Sequence, residues 1–141
     1  MAILYHSVEI QFPSIKRREV TNWIKKIASS HNKKIGEISY IFCSDKEILR
    51  INEQYLNHDY YTDIITFDYT EANTLSGDIF ISLETVKSNS EKYLSDYQEE
   101  LHRVIIHGIL HLCGLKDKTP QEEQLMRESE NRALTLLSIG K

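Results

Sequence analysis

The chain has 141 residues, 40% hydrophobic and 27% charged, with a formal net charge of −4. A single globular domain spanning 1–141 is the expectation, because that length buries roughly two-thirds of the surface an unfolded chain exposes and the composition is neither disordered nor membrane-like. No apolar run approaches the roughly 18 residues of a spanning helix, and MAILYHSVEI lacks the basic start and long apolar stretch of a signal peptide, so a cytoplasmic protein without a membrane partner is expected.

In chain order, Ile3 to Phe12 reads as a first strand closed by Pro13. Ser14 stands where it can cap a helix whose apolar positions Val20, Trp23, Ile24, Ile27 and Ala28 recur at helical spacing. EISYIFCS is β-branched and aromatic enough for a buried strand, and Asp45 then stands as cap to a short helix carrying Ile48, Leu49, Ile51 and Asn52. Tyr61 to Phe67 and Gly77 to Ser82 read as two further strands separated by the polar TEANTLS. From Leu83 the period becomes helical: one helix to about Tyr93, a second opened by the capping-box pattern Asp96/Glu99 and closed by Gly114, and a third begun by Thr119-Pro120-Gln121-Glu122. The expected architecture is α+β, one mixed sheet of about four strands against about five helices.

Charge is unevenly spread. Residues 14–34 hold seven basic side chains, from Lys16 to Lys34, against the single acid Glu19, whereas Glu122, Glu123, Glu128 and Glu130 make the C-terminal part acidic. The basic helix is a candidate RNA-facing surface, although a charge run is more often a solvated helix face. Cys43 and Cys113 sit in apolar runs and read as small buried hydrophobes, since neither has a second cysteine at metal-ligand spacing.

The stretch HGILHLCGLKD carries the chemistry. Residues four apart on a helix share one face with Cβ atoms about 5–6 Å apart, so His107 and His111 can grip one ion. Gly114 permits the left-handed turn that folds the chain back, and Asp117 then stands to return a carboxylate. Lys116 and Lys118 have no lone pair to offer at neutral pH. Zinc, one per chain, suits two imidazoles and a carboxylate, with manganese, iron or nickel competing better than at a three-histidine site. The competing reading is a core helix whose histidines bond internally, supported by the apolar Val104, Ile105, Leu110 and Leu112; burying two imidazoles without partners is costly, which favours the ion.

HGILHLCG closely resembles the HGxLHLxG motif of the YbeY-type endoribonucleases, the bacterial rRNA maturation factors. LRINEQY, TDIITF and GDIFIS resemble that family's LNxxYR, TDVLSF and GDIxIS segments, in the same order. The resemblance covers most of residues 45–118. It implies a metal-dependent endoribonuclease that prefers single strands, acts in 16S rRNA 3′-end maturation and ribosome quality control, and holds its metal through His107, His111 and the third-ligand position, which falls on Asp117 in place of a histidine. That exchange lowers the charge of the site and leaves a coordinated water a weaker acid. Leu56 stands where the family carries an arginine, a place at which a phosphate contact is expected, with His58 or Arg50 as possible substitutes; Tyr61 replaces the proline before Thr62. No general base is legible, and Asp63 and Asp78 are candidates for orienting a ligand histidine.

Three rival functions fit parts of the pattern. A zinc peptidase shares the His-x-x-x-His-x-x-Gly turn but needs a glutamate where Gly108 stands. Two histidines and a carboxylate also match the iron(II) oxygenases, whose ligands come more often from strands. A non-catalytic ribosome-assembly protein would bind RNA and use the metal only to lock its C-terminal helices.

Overall fold

The structure, a computed structural model, describes residues 2–56 and 62–137. Nine elements follow in order: β1 (Ala2–Ser7), α1 (Arg17–Ser30), β2 (Lys34–Cys43), α2 (Asp45–Leu56), β3 (Ile64–Asp68), β4 (Thr74–Ser82), α3 (Leu83–Lys92), α4 (Tyr97–Leu112) and α5 (Pro120–Thr135). The four strands form one mixed sheet in the order β1-β2-β4-β3, with β1 and β4 parallel to β2 and β3 antiparallel to β4. This is the α+β arrangement expected.

Period-2 burial decides what each sheet face meets. Ile38, Tyr40 and Phe42 of β2, with Leu75, Ile79 and Ile81 of β4, join the apolar sides of α1, α3, α4 and α5 in the main core. The alternate residues turn the other way, where Phe67 and Phe80 pack with Ile48 and Ile51 of α2 in a smaller cluster. At roughly 25 cal/mol per Å² of buried apolar surface, the larger cluster supplies most of the burial energy. Two hydrogen bonds pin its helices: Tyr40 Oη donates to the Ile105 carbonyl at 2.8 Å, and Trp23 Nε1 donates to the Ala133 carbonyl at 2.8 Å.

Several local expectations are corrected. The first strand stops at Ser7, because Glu9 takes a positive φ of 53° that ends extended pairing. The cap of α1 is Lys16, without a side-chain cap bond, so Ser14 lies outside the helix. Ser44, not Asp45, caps α2 by accepting from the Glu47 amide at 3.2 Å, while the Asp45 carboxylate accepts from the hydroxyls of Ser82 and Thr85 and ties α2 to the start of α3. Strand β4 begins at Thr74, three residues before Gly77, because Thr74 and Leu75 pair with Lys34 and Ile35 of β2. Cys43 is buried and Cys113 half-buried, both as free thiols, and burial pushes their pKa values up to about 12 and about 11. No described helix is long and apolar enough to cross a membrane.

Helix α4 is the central element, and Gly108 decides how closely it approaches the sheet. A Cβ there would stand 3.0 and 3.1 Å from Ile79 side-chain atoms and 3.3 Å from Ile64, inside ordinary contact distance. Leaving glycine would recover about 1 kcal/mol of helix propensity, but packing opposes it. Gly108→Leu should lower stability by roughly 1–3 kcal/mol through overpacking, seen as a lower urea midpoint with unchanged slope. A variant as stable as the parent would mean that α4 is not seated on Ile79.

Candidate metal centre

Helix α4 starts where Asp96 Oδ2 accepts from the Glu99 amide at 3.1 Å, and it ends in a Schellman turn. The Gly114 amide donates to the His111 carbonyl at 3.0 Å, the Leu115 amide donates to the Leu110 carbonyl at 3.1 Å, and Gly114 takes a φ of +108° that only glycine adopts freely. The chain turns back and α5 opens at Thr119 with a complete capping box to Glu122. Helix α5 therefore returns along α4, and three side chains meet across the hairpin.

Asp117, in the turn, stands with Oδ2 3.4 Å from His107 Nε2. Glu130, from α5, accepts from His107 Nδ1 at 2.7 Å. The other Glu130 oxygen accepts from Arg103 Nη1 at 3.1 Å, with Arg127 Nη1 at 3.8 Å. Glu130 is only 5% exposed, so its charge depends on these cations and on the imidazole. Burial works against a charge on His107. The hydrogen bond and charge of Glu130, aided by Asp117 and Asp63, outweigh it and hold the His107 pKa above its ordinary 6.5.

These side chains line a cleft of about 570 Å³ between β3 and helices α3, α4 and α5. Its walls also carry Asp63, whose carboxyl burial pushes up against the pull of His107, and Glu100, likewise raised by burial. His111 lines the same cleft with its Nδ1 buried and unpartnered. The structure brings His107 and Asp117 together and leaves His111 apart from them: among the described residues no three His, Cys, Asp or Glu side chains stand close enough to hold one ion.

Whether this set fits a divalent cation can be judged from its chemistry. With Nδ1 committed to Glu130, His107 turns Nε2 toward Asp117, and 3.4 Å is the separation of two donors that each lie about 2.0–2.1 Å from a tetrahedral zinc. His111 holds a spare buried nitrogen one helical turn on, on the same face. The described walls carry the carboxylates of Asp63, Glu100, Asp117, Glu123 and Glu130 against the guanidiniums of Arg103 and Arg127. An excess of carboxylates attracts a cation and repels a phosphate that arrives without one. His107 and Asp117 fit two positions around such an ion, and His111 fits as a third donor by chemistry and helix face, once its ring turns toward that pair.

Other expected site residues lie elsewhere. Asp78 shares the sheet face of Phe80 and accepts from the Tyr69 hydroxyl at 3.4 Å, away from the cleft. Arg50 is engaged by Glu47 at 2.7 Å and by Gln54 at 2.6 Å and does not line the cleft. The Leu56 side chain, His58 and Tyr61 lie outside what the structure describes. Arg103, Arg127 and Glu130 are additions from α4 and α5 that the motifs did not point to. One signal for Glu130 was available: it sits in register with Met126 and Ala133 on the buried stripe of α5, where a charge is out of place.

The profile of the family described as endoribonuclease YbeY matches residues 6–138. The chain is 63% identical to the endoribonuclease YbeY of Parabacteroides distasonis over 97% of this chain and 96% of that protein. It is also 63% identical to the protein of the same description from Bacteroides fragilis, covering 96% and 98%. The fold matches the solution structure of TM1509 from Thermotoga maritima with a TM-score of 0.65 over 99% of each chain, at 20% identity.

Glu130→Gln should lower the His107 titration midpoint, followed by imidazole NMR in chelator-treated protein, and weaken metal affinity about 10- to 100-fold. Because the folded His107 pKa is raised, its stabilising contribution in that protein is fully present below 6.5 and disappears as pH rises through the folded value. In Glu130→Gln that pH dependence should flatten; an unmoved midpoint would mean that Glu130 does not hold the proton. From motif order, whole-length profile match and close relatives together, this chain belongs to the YbeY endoribonuclease family.

Proposed function

We propose that this chain is a metal-dependent endoribonuclease that cuts single-stranded RNA, with rRNA in ribosome maturation as its substrate and the cytoplasm as its place of work. The observation that carries the mechanism is the His107–Asp117 pair held at ligand spacing by Glu130, with His111 one turn away. His107, His111 and Asp117 are the proposed ligands and zinc the proposed ion. When bound, the cation supplies a Lewis acid for a phosphoryl oxygen and for the attacking water.

The chain's own residues then have separate tasks. Glu130 accepts the Nδ1 proton of His107 and so leaves Nε2 as the ligand atom. Arg103 is largely buried and fixed by Glu130, which gives the cleft wall a positioned guanidinium, whereas the Arg127 side chain is 61% exposed and reaches outward to follow a phosphate. These two take the phosphate-contact role that the arginine absent at Leu56 would have filled. Asp63, with its carboxyl raised by burial, is matched to holding a proton nearer neutrality than an exposed aspartate.

A peptidase reading loses further ground here. Gly108 faces Ile79 and Ile64, where even a Cβ is crowded, so no glutamate fits at that position. The binding-only reading gains from the separation of His111 from the other two donors, and one experiment decides between them. Elemental analysis and cleavage of structured rRNA fragments should show bound metal and cutting in the parent, and loss of both in Asp117→Ala with folding intact. Asp117→His should retain zinc more strongly. Equal background cutting by parent and Asp117→Ala would leave the assembly-factor role; unchanged metal content in both variants would remove Asp117 from the ligand set.

A further inference from the structure

A second cavity, of about 850 Å³, lies at the N-terminal end of α4, within the range of small-molecule sites at about 300–1,000 Å³. Ile15 and Lys16 come from the lead into α1, Gln98 and His102 from α4, and Asn131 and Leu134 from α5. Arg103 belongs to both this wall and the wall of the metal cleft. His102 is 8% exposed, stands edge-on to Trp23, and keeps a buried Nε2 without a partner.

We infer that this cavity is a subsite for a nucleotide flanking the scissile phosphate, and that Lys16 meets the next phosphate of the strand. The inference rests on the endoribonuclease reading above. Arg103 lines both cavities, so the second cavity is the next hollow for a strand that leaves the cleft past that side chain. Along α4, His102 precedes His107 by about 7.5 Å of helix rise and about 140° of rotation, a separation that about one to two nucleotides of an extended strand cover.

The wall chemistry suits a base. Ile15 and Leu134 offer apolar surface, while the Gln98 and Asn131 amides each present donors and an acceptor, the mixture that base edges display. Two carboxylates also line the cavity: Asp96 is committed to capping α4, and Glu99 is solvent-exposed. Positive charge continues outward from Lys16, since Arg17 and Arg18 line a third hollow beside Thr21 and Asn22. Lys25 and Lys26 are exposed but line neither the cleft nor the second cavity. The RNA-facing part of the basic segment is thus its beginning rather than its whole length.

The test uses full-length, zinc-loaded protein and nested single-stranded RNA oligonucleotides lengthened one nucleotide at a time from either end. For the parent, KM should fall in a step once the strand reaches the second cavity. Asn131→Leu and Lys16→Ala, both at exposed positions, should erase that step, raising KM on long strands about tenfold, equivalent to the loss of one good contact. Lys16→Ala should also reduce the salt slope of binding by about one. The double variant Lys25→Ala/Lys26→Ala should keep the step. A step that survives in both cavity variants, or that vanishes in the lysine double variant, overturns the subsite. Cutting by the parent with no length step overturns the subsite alone; no RNA bound or cut by the parent overturns the endoribonuclease reading with it.

Discussion

A carboxylate buried between two helices is the constraint on which the site depends. Glu130 brings a negative charge to the inner side of α5, where desolvation alone would make it intolerable. It is tolerated because α4 meets it with His107 on one oxygen and Arg103 on the other. Removing one member of such a group typically costs 3–5 kcal/mol, because the remaining charge is stranded. The same contacts fix the imidazole ring, its tautomer and the guanidinium beside it, so the packing of the helical hairpin and the aim of the site are one interaction.

The other side of α4 obeys an apolar constraint. Gly108 lets the helix settle on Ile79 and Ile64, and Tyr40 reaches across to bond a carbonyl in the middle of that helix. Helix α4 is thus held by the sheet on one side and by α5 on another, with the cleft along the remaining stripe. A reacting group needs such support, since small displacements of a catalytic side chain are expensive in rate.

Much of this was legible in order along the chain. Caps made the C-terminal helices readable, because Asp96, Gly114 and the Thr119-Pro120 start each encode a local backbone geometry that tertiary context did not override. The meeting of His107 with Asp117 was legible for the same reason, as the Gly114 turn relates them, whereas His111 stands apart from that pair. Ser14 and Asp45 misled because both types cap helices but also bond elsewhere: α1 starts later at Lys16, and Asp45 is drawn to Ser82 and Thr85 across the fold. Glu130, Arg103 and Arg127 escaped notice because charge counting along α5 treats every glutamate as solvated. Register with Met126 and Ala133 on the inner stripe of α5 is what sets the buried one apart. Asp78 was named beside Asp63 as a candidate for orienting a ligand histidine, and strand parity sets it on the sheet face opposite α4.

The short segment from Gly114 to Thr119 is clamped at both ends, by the Schellman turn on one side and by the capping box on the other. Much of its backbone entropy is therefore lost on folding, so that the proposed engagement of a ligand by Asp117 costs mainly the freedom of one short side chain. Under the proposed ligand assignment, donor identity at that place is separable from scaffold geometry: the side chain can change while the two clamps go on setting its reach. A scaffold built this way permits the hardness of the centre to be retuned by a single codon, with the fold as an unaltered frame.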